Sequence, residues 1–246
     1  MIDHLSFSSL RLYLDNPYAW HRRYIQGIRD DKTGPAALEG SALHKYIELT
    51  LKGFEKADAL SAAEQLIHKA TDVEWGKTGS VEKSLKRLGN LVSSFSTVTL
   101  PGVVLDTEKQ FNSLIKGIKV PLMGYVDATF TDNDGNIIVC DWKSVSVFHD
   151  ELPPSFIIQG VIYFWLTELE YKKKVTRCDF VEIRSVGEEQ RTKVLTLLND
   201  GTYDRAVKSL IKESLKQMSG KKKPLPNISA DYTGDESWKE YIKSLN

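Results

Sequence analysis

This chain of 246 residues contains little cysteine, has no excess of either charge and lacks long apolar runs. Its two cysteines, Cys140 and Cys178, are too few for a disulfide framework, so a reducing cytoplasm is the expected compartment. Lysine plus arginine and aspartate plus glutamate number 33 each, which disfavours binding of nucleic acid by bulk charge alone. No run reaches about 18 apolar residues, so we expect no membrane-spanning helix and no membrane partner.

Two recognisable segments are also missing from the sequence. The first thirteen residues hold Asp3 and a serine-rich stretch, with no basic region before an apolar core, so no secretory signal is expected. The pattern G-x-x-x-x-G-K-[ST] does not occur, and the chain is therefore not expected to contain a nucleotide-driven motor.

The residues that are present predict a globular α/β protein. With 41% hydrophobic and 27% charged residues, the chain can bury a sizeable core. Apolar residues at helical spacing predict helices before Pro101, whereas the sequence after Pro101 alternates as strands do. Asn133-Asp134-Gly135-Asn136 predicts a tight turn between the second and third of these strands. Further elements are predicted as a helix over about 155–169, a strand over about 175–184, and helices over 188–199 and 201–217.

The order of these elements indicates a central mixed β-sheet flanked by helices, with a helical N-terminal insertion. No internal repeat and no long linker interrupts the chain, so we predict one domain over residues 1–246. Its parts are a helical insertion at about 55–98, a core at about 38–54 and 101–185, and C-terminal helices with a tail at 186–246.

Two carboxylates and one lysine are predicted to meet at one edge of the sheet. Asp127 lies within the second strand, and Asp141 and Lys143 end the third strand on one face, because residues i and i+2 project the same way. A hairpin joins the two strands, so Asp127 can lie beside Asp141. Burying these three groups without a use would be costly, and hard oxygen ligands suit Mg²⁺ or Mn²⁺.

Two helices carry residues at a spacing of four, which places them on one helix face: Gly40, His44 and Glu48 on the first, and Gln159 and Tyr163 on the second. Together with the strand residues they form four motifs in chain order. These are Gly40-x-x-x-His44, Gly124-x-x-Asp127, Asp141-Trp142-Lys143 and Gln159-x-x-x-Tyr163.

These motifs resemble the PD-(D/E)xK nuclease superfamily, and specifically its RecB-like branch. Ser6, Ser8, Tyr13 and the run Asn16-Pro17-Tyr18 add a similarity to the N-terminal signature of AddB-type nucleases. The resemblance implies a restriction-endonuclease-like core and a metal-dependent DNA nuclease, with an exonuclease favoured, in recombination, repair or phage DNA processing. The alternatives are a structure-specific or single-strand endonuclease, or a catalytically silent DNA-binding or assembly module.

The resemblance also implies a role for each candidate residue. Lys143 would orient or deprotonate the attacking water at a site holding Mg²⁺ or Mn²⁺. Gln159 and Tyr163 would bind the DNA backbone or support the Lys143 end of the site. The implied metal ligands are His44, Asp127, Asp141 and the Trp142 main-chain carbonyl, with Glu108 as a further candidate.

In one respect the sequence departs from the family pattern. Many RecB-like nucleases hold an iron–sulfur cluster with four cysteines, whereas this chain has Asn16 at the first of those positions and no cysteine in its tail. We therefore expect no such cluster. Packing among Tyr18, Trp20, Tyr232 and Trp238 is predicted to join the two ends of the chain instead.

The resemblance implies DNA ends, single- or double-stranded, as the binding partner. Because the chain carries no motor motif, processive digestion would need either self-threading or a separate helicase or single-strand-binding protein. A nuclease of this size without a cluster would also suit a phage acting in the host cytoplasm.

Overall fold

The computed structural model describes residues 2–29, 33–77, 79–185, 191–220 and 224–225. The chain divides into two compact units, and the candidate site residues all belong to the second. The prediction of a single domain stays a prediction. The first unit comprises residues 1–30, 111–124 and 201–246, and the second comprises residues 31–110 and 125–200.

The first unit is built around a buried tryptophan. Trp20 is almost fully buried, donates from its indole N–H to Ser9 Oγ at 2.9 Å and meets the edge of the Tyr13 ring. The Tyr13 hydroxyl in turn donates to Gln217 at 3.1 Å. Tyr232 and Trp238, predicted to pack here, lie outside the described residues. The unit's elements are β1 (Leu5–Ser6), α1 (Phe7–Asp15), α2 (Pro17–Tyr24) and α7 (Asp204–Met218).

The second unit comprises α3 (Pro35–Leu51), α4 (Lys56–Lys69), α5 (Val81–Phe95), β4 (Ile137–Val145), α6 (Pro154–Tyr171), β5 (Val175–Arg184) and β6 (Thr192–Leu198), together with residues 103–110 of β2 (Val103–Ser113) and residues 125–131 of β3 (Leu122–Thr131). Its mixed sheet has the strand order β3-β4-β5-β6, and β2 also pairs with β3. Strands β3 and β4 are antiparallel, β4 and β5 parallel, and β5 and β6 antiparallel. The parallel pair needs a crossover, which α6 supplies.

Alternation along β4 separates a hydrophobic face from a polar one. Cys140 and Trp142 pack into a core shared with α3, α4 and α5, so Asp141 and Lys143 face the opposite side, where α6 lies. Gly160 lets α6 approach the sheet closely, because a Cβ atom there would lie 2.6 Å from the Leu197 side chain. This close approach brings the polar residues of α6 within reach of β4.

The structure confirms the mixed α/β architecture, the helices of the 55–98 insertion and the strands on either side of Asn133-Asp134-Gly135-Asn136. The helix predicted over 188–199 is wrong for residues 192–198, which form β6 at the edge of the sheet, while residues 188–190 lie outside the described residues. Leu195 and Leu197 are buried while Val194 and Leu198 are exposed. These four residues also fit a helical stripe, so only pairing with β5 decides between the two periods. Across the described residues, no helix has the length and apolar character needed to cross a membrane.

Candidate metal centre and active site

The site lies where β3 and β4 separate. Their ladder of paired residues ends at Ala128 and Cys140. Beyond that pair, the Trp142 backbone N–H donates to Asp127 Oδ2 at 2.8 Å, so a side-chain carboxylate occupies the place of a backbone acceptor. Asp127 is only 8% exposed. Asp127 therefore lies beside the end of β4, where its carboxylate fills the gap between the two strands.

His44 projects from α3 toward the same gap. Its Nε2 lies 2.8 Å from the Trp142 carbonyl oxygen, and its Nδ1 lies 3.5 Å from Asp127 and 3.7 Å from Glu108. Burial by itself lowers the pKa of His44, but the carboxylates of Asp127 and Glu108 outweigh burial and raise it well above the usual value. An imidazolium with two N–H donors accounts for contacts with a carbonyl on one side and carboxylates on the other.

Glu108 reaches the site through an unusual backbone conformation. Its φ is 49°, a left-handed value that costs a non-glycine residue roughly 1–3 kcal/mol. Neighbouring contacts hold β2 around it: Lys109 pairs with Asp106 at 3.0 Å and with Glu170 at 3.2 Å. The Tyr171 hydroxyl also donates to Asp106. Strain of this kind collects at functional sites, and here it aims a carboxylate at His44.

Asp141 and Lys143 form the other half of the site. Lys143 Nζ lies 2.5 Å from Asp141 Oδ2 and donates to Gln159 at 3.1 Å. Burial, with help from the Asp127 charge, raises the pKa of Asp141 to about 6 despite the nearby ammonium. A carboxyl group with this pKa ionises readily when a cation approaches.

A chain of hydrogen bonds from α6 supports Asp141. Gln159 Nε2 donates to Asp141 Oδ1 at 2.8 Å and lies 2.7 Å from the Tyr163 hydroxyl. Tyr163 donates to the Tyr125 carbonyl at 2.8 Å. Burial, followed by the Asp141 charge, raises the pKa of Tyr163, so its hydroxyl stays protonated and available as a donor.

The chemistry of these groups fits a divalent cation. His44, Glu108 and Asp127 each offer a ligand atom, and the three atoms lie within 4.8 Å of one another. Asp141 is not one of these three, and its buried Oδ2 is paired with the Lys143 ammonium. One imidazole and several carboxylate oxygens form a ligand set for Mg²⁺ or Mn²⁺. Burial raises the pKa of both Cys140 and Cys178, which keeps their thiols protonated.

A groove of about 610 Å³ opens beside this cluster. Tyr125 and Ser144, on the sheet side of this groove, are not among the site residues that the sequence predicts. A sequence signal for Tyr125 exists, because it precedes Asp127 by two residues on a strand and so shares its side of the sheet. Ser144 has no comparable signal. The remaining lining residues are Ala36, Ala37, Gly40, Ser41, His44, Lys45, Glu48, Leu66 and Glu108.

Comparisons with known proteins agree on one family and one fold. The sequence profile of the PD-(D/E)XK nuclease superfamily matches residues 4–231. No curated protein matches this sequence. A proposed exonuclease from Eubacterium rectale shares the fold, with 12% identity, a TM-score of 0.61, and coverage of 92% of this chain and 84% of that one.

An alkaline exonuclease from Laribacter hongkongensis is a more distant structural neighbour. It is 11% identical, with a TM-score of 0.35 and coverage of 87% of this chain and 95% of that one. The complex of that enzyme with dAMP has the same identity and coverage and a TM-score of 0.39. At 12% identity, the likeness to the Eubacterium rectale protein concerns the fold only.

Proposed function

This chain belongs to the PD-(D/E)XK nuclease superfamily, and we propose that it is a Mg²⁺- or Mn²⁺-dependent deoxyribonuclease, with exonuclease as the favoured mode. The supporting observation is the convergence, between two separating strands, of the His44–Glu108–Asp127 cluster and the Asp141–Lys143 pair. A silent binding module would be expected to lack one of these groups. All five are present, which favours catalysis.

In this proposal His44, Glu108 and Asp127 would hold the cation, with Asp141 and the Trp142 carbonyl as further ligands. Bound there, the cation would offset the charge on the scissile phosphate and lower the pKa of an attacking water. Burial, followed by the Asp127 charge, raises the pKa of Asp141, so a cation bound beside it would favour its ionised form. To serve as a ligand, His44 would release its imidazolium proton to solvent, because only the neutral imidazole has a ring lone pair for a cation.

Lys143 would act on the attacking water. Its ammonium carries three protons, and one N–H bond is directed at Gln159. The ion pair with Asp141 and the Phe156 ring, 5.5 Å from Nζ, hold the head group in place. A proton therefore remains for the water or for a phosphate oxygen, which lets Lys143 orient the nucleophile and stabilise developing negative charge.

Gln159 and Tyr163 are proposed as positioning residues. Both are buried, at 6% and 5% exposed, and both bond into the Asp141 network. This burial favours support of the Lys143 end of the site over direct contact with the DNA backbone. A helicase or single-strand-binding partner, and a recombination, repair or phage setting in the cytoplasm, stay predictions.

The proposed activity is tested by digestion of end-labelled linear DNA, single- and double-stranded, with Mn²⁺, Mg²⁺ or EDTA. We expect products shortened progressively from one end, only when a divalent cation is present. Circular DNA of the same sequence is the matched control and should persist. Cleavage of the circle would assign the endonuclease alternative, and intact linear and circular DNA in every metal would favour the binding module.

The raised pKa of Asp141 predicts how pH changes the stability of the EDTA-treated protein. Its pKa is 3.8 in an unfolded chain and about 6 in the fold, so the folded state holds a proton that the unfolded state has lost between these values. The free energy of unfolding should therefore fall as pH rises from 3.8 to about 6. His44, whose pKa is also raised, should extend the fall above neutrality.

Thermal melts across pH, with and without Mn²⁺, measure this dependence. Because the cation competes with the same protons, the stabilisation that Mn²⁺ provides should grow as pH rises. A Mn²⁺-induced shift in Tm that is constant across this range would contradict the assignment of Asp141 as a ligand.

A further inference from the structure

Tyr125 is an exposed aromatic side chain beside the metal-ligand cluster. It is 52% exposed and lies on β3 two residues before Asp127. It lines the same groove as His44 and Glu108. A large side chain left this exposed within a polar catalytic groove has a flat face available to a ligand.

The backbone of Tyr125 is tied to the reactive end of the site. Its carbonyl accepts a hydrogen bond from the Tyr163 hydroxyl at 2.8 Å. Tyr163 contacts Gln159, which donates to Asp141. The hydrogen-bond chain that supports Asp141 therefore also holds the backbone of Tyr125. A group stacked on the Tyr125 ring lies close to the carboxylates of the site.

The rest of the groove offers room and little positive charge. Small residues of α3, including Ala37 and Gly40, line it, and its volume of about 610 Å³ leaves room for a nucleotide beside the metal-ligand cluster. Lys45 is paired with Glu48 at 2.9 Å. Because Glu108 adds a further carboxylate, the lining gives a phosphate backbone no net attraction, and affinity must come from the cation and from contacts with a base.

Resting on the proposed nuclease function, we propose that Tyr125 stacks on an unpaired nucleobase next to the scissile phosphate and so selects single-stranded or frayed DNA ends. Every base has a π face, which makes stacking on an aromatic ring independent of sequence. Within a duplex both faces of a base are covered by its neighbours. Only an unpaired or terminal base offers a face to Tyr125.

The test compares Tyr125→Ala with Tyr125→Phe on single-stranded DNA. Loss of one stacking contact should raise KM about 5- to 150-fold in Tyr125→Ala with kcat retained, whereas Tyr125→Phe keeps the ring and should restore KM. Phe54→Ala removes an aromatic side chain of similar exposure, 54%, that does not line the groove, and should leave KM unchanged.

A substrate with one abasic nucleotide, placed at successive positions, identifies the stacked base. At the position of the stacked base, the abasic nucleotide should raise KM for the wild-type protein. It should not raise KM further for Tyr125→Ala, because loss of the base and loss of the ring remove the same contact. Equal KM values for Tyr125→Ala and wild type, or additive effects at every position, would overturn the proposal. So would lost Mn²⁺ binding in Tyr125→Ala, since the ring would then act through the metal site.

The wild-type digestion separates this inference from the function it rests on. Wild type that cleaves while Tyr125→Ala behaves identically contradicts only the stacking role. Wild type that cleaves no substrate in any metal contradicts the nuclease function itself.

Discussion

Lys143→Ala should lower the rate of DNA cleavage by about 10²–10⁴-fold while DNA binding and metal binding are largely kept. The substitution removes the ammonium held between Asp141 and Gln159, so the attacking water loses its orienting donor. The groups of the metal cluster are untouched. Single-turnover cleavage at saturating Mn²⁺, together with DNA binding measured in Ca²⁺, separates the chemical step from binding.

Lys173→Ala is the matched control for Lys143→Ala. Lys173 is an exposed lysine just after α6, outside the site, and its removal tests the loss of one positive charge alone. We expect normal cleavage from it. If Lys143→Ala loses DNA binding and cleavage in parallel, or unfolds at a lower temperature by many degrees, Lys143 is structural and the catalytic assignment is wrong.

Asp127→Asn should abolish calorimetrically detectable Mn²⁺ binding and lower cleavage at least about 100-fold. The amide keeps an oxygen that can accept the hydrogen bond from the Trp142 N–H, so the separation of β3 and β4 is retained. What is lost is the negative charge in the cluster with His44 and Glu108. The melting temperature in EDTA should therefore change little, while the increase produced by Mn²⁺ disappears.

The pKa of His44 is a second measurement that tests the Asp127→Asn variant. Asp127 is the largest of the influences that raise the pKa of His44 against burial, so that pKa should fall in Asp127→Asn, as NMR titration of the imidazole in EDTA would show. Asp134→Asn, at the exposed turn of the same hairpin, is the matched control and should bind Mn²⁺ normally. Unchanged binding heat in Asp127→Asn would remove Asp127 from the ligand set.

Local periodicity explains why much of the site could be predicted. Asp141 and Lys143 share a face because strand side chains alternate, and a tight turn brings β3 back beside β4. The spacing of Gln159 and Tyr163 predicts one helix face, and both reach the Asp141 network. Each of these spacings covers only a few residues along the chain, so it can be recognised in the sequence itself.

Two features of the structure depend on long-range strand pairing or on backbone strain, which short sequence patterns do not predict. Residues 192–198 satisfy a helical and a strand pattern alike, and only the free edge of β5 selects the strand. The φ of 49° at Glu108 opposes the local backbone preference of a glutamate, so no sequence pattern predicts it.

By itself, the sequence determined the fold class, the four motifs and the family, since each depends on residue type and short spacing. The tertiary structure decided how these motifs meet: where β3 and β4 separate, how Asp127 replaces a backbone acceptor, and which charges set the pKa values of His44 and Asp141. It also left Tyr125 exposed beside the carboxylates. Exposure and electrostatics depend on atoms distant in the chain, so only the folded chain determines them.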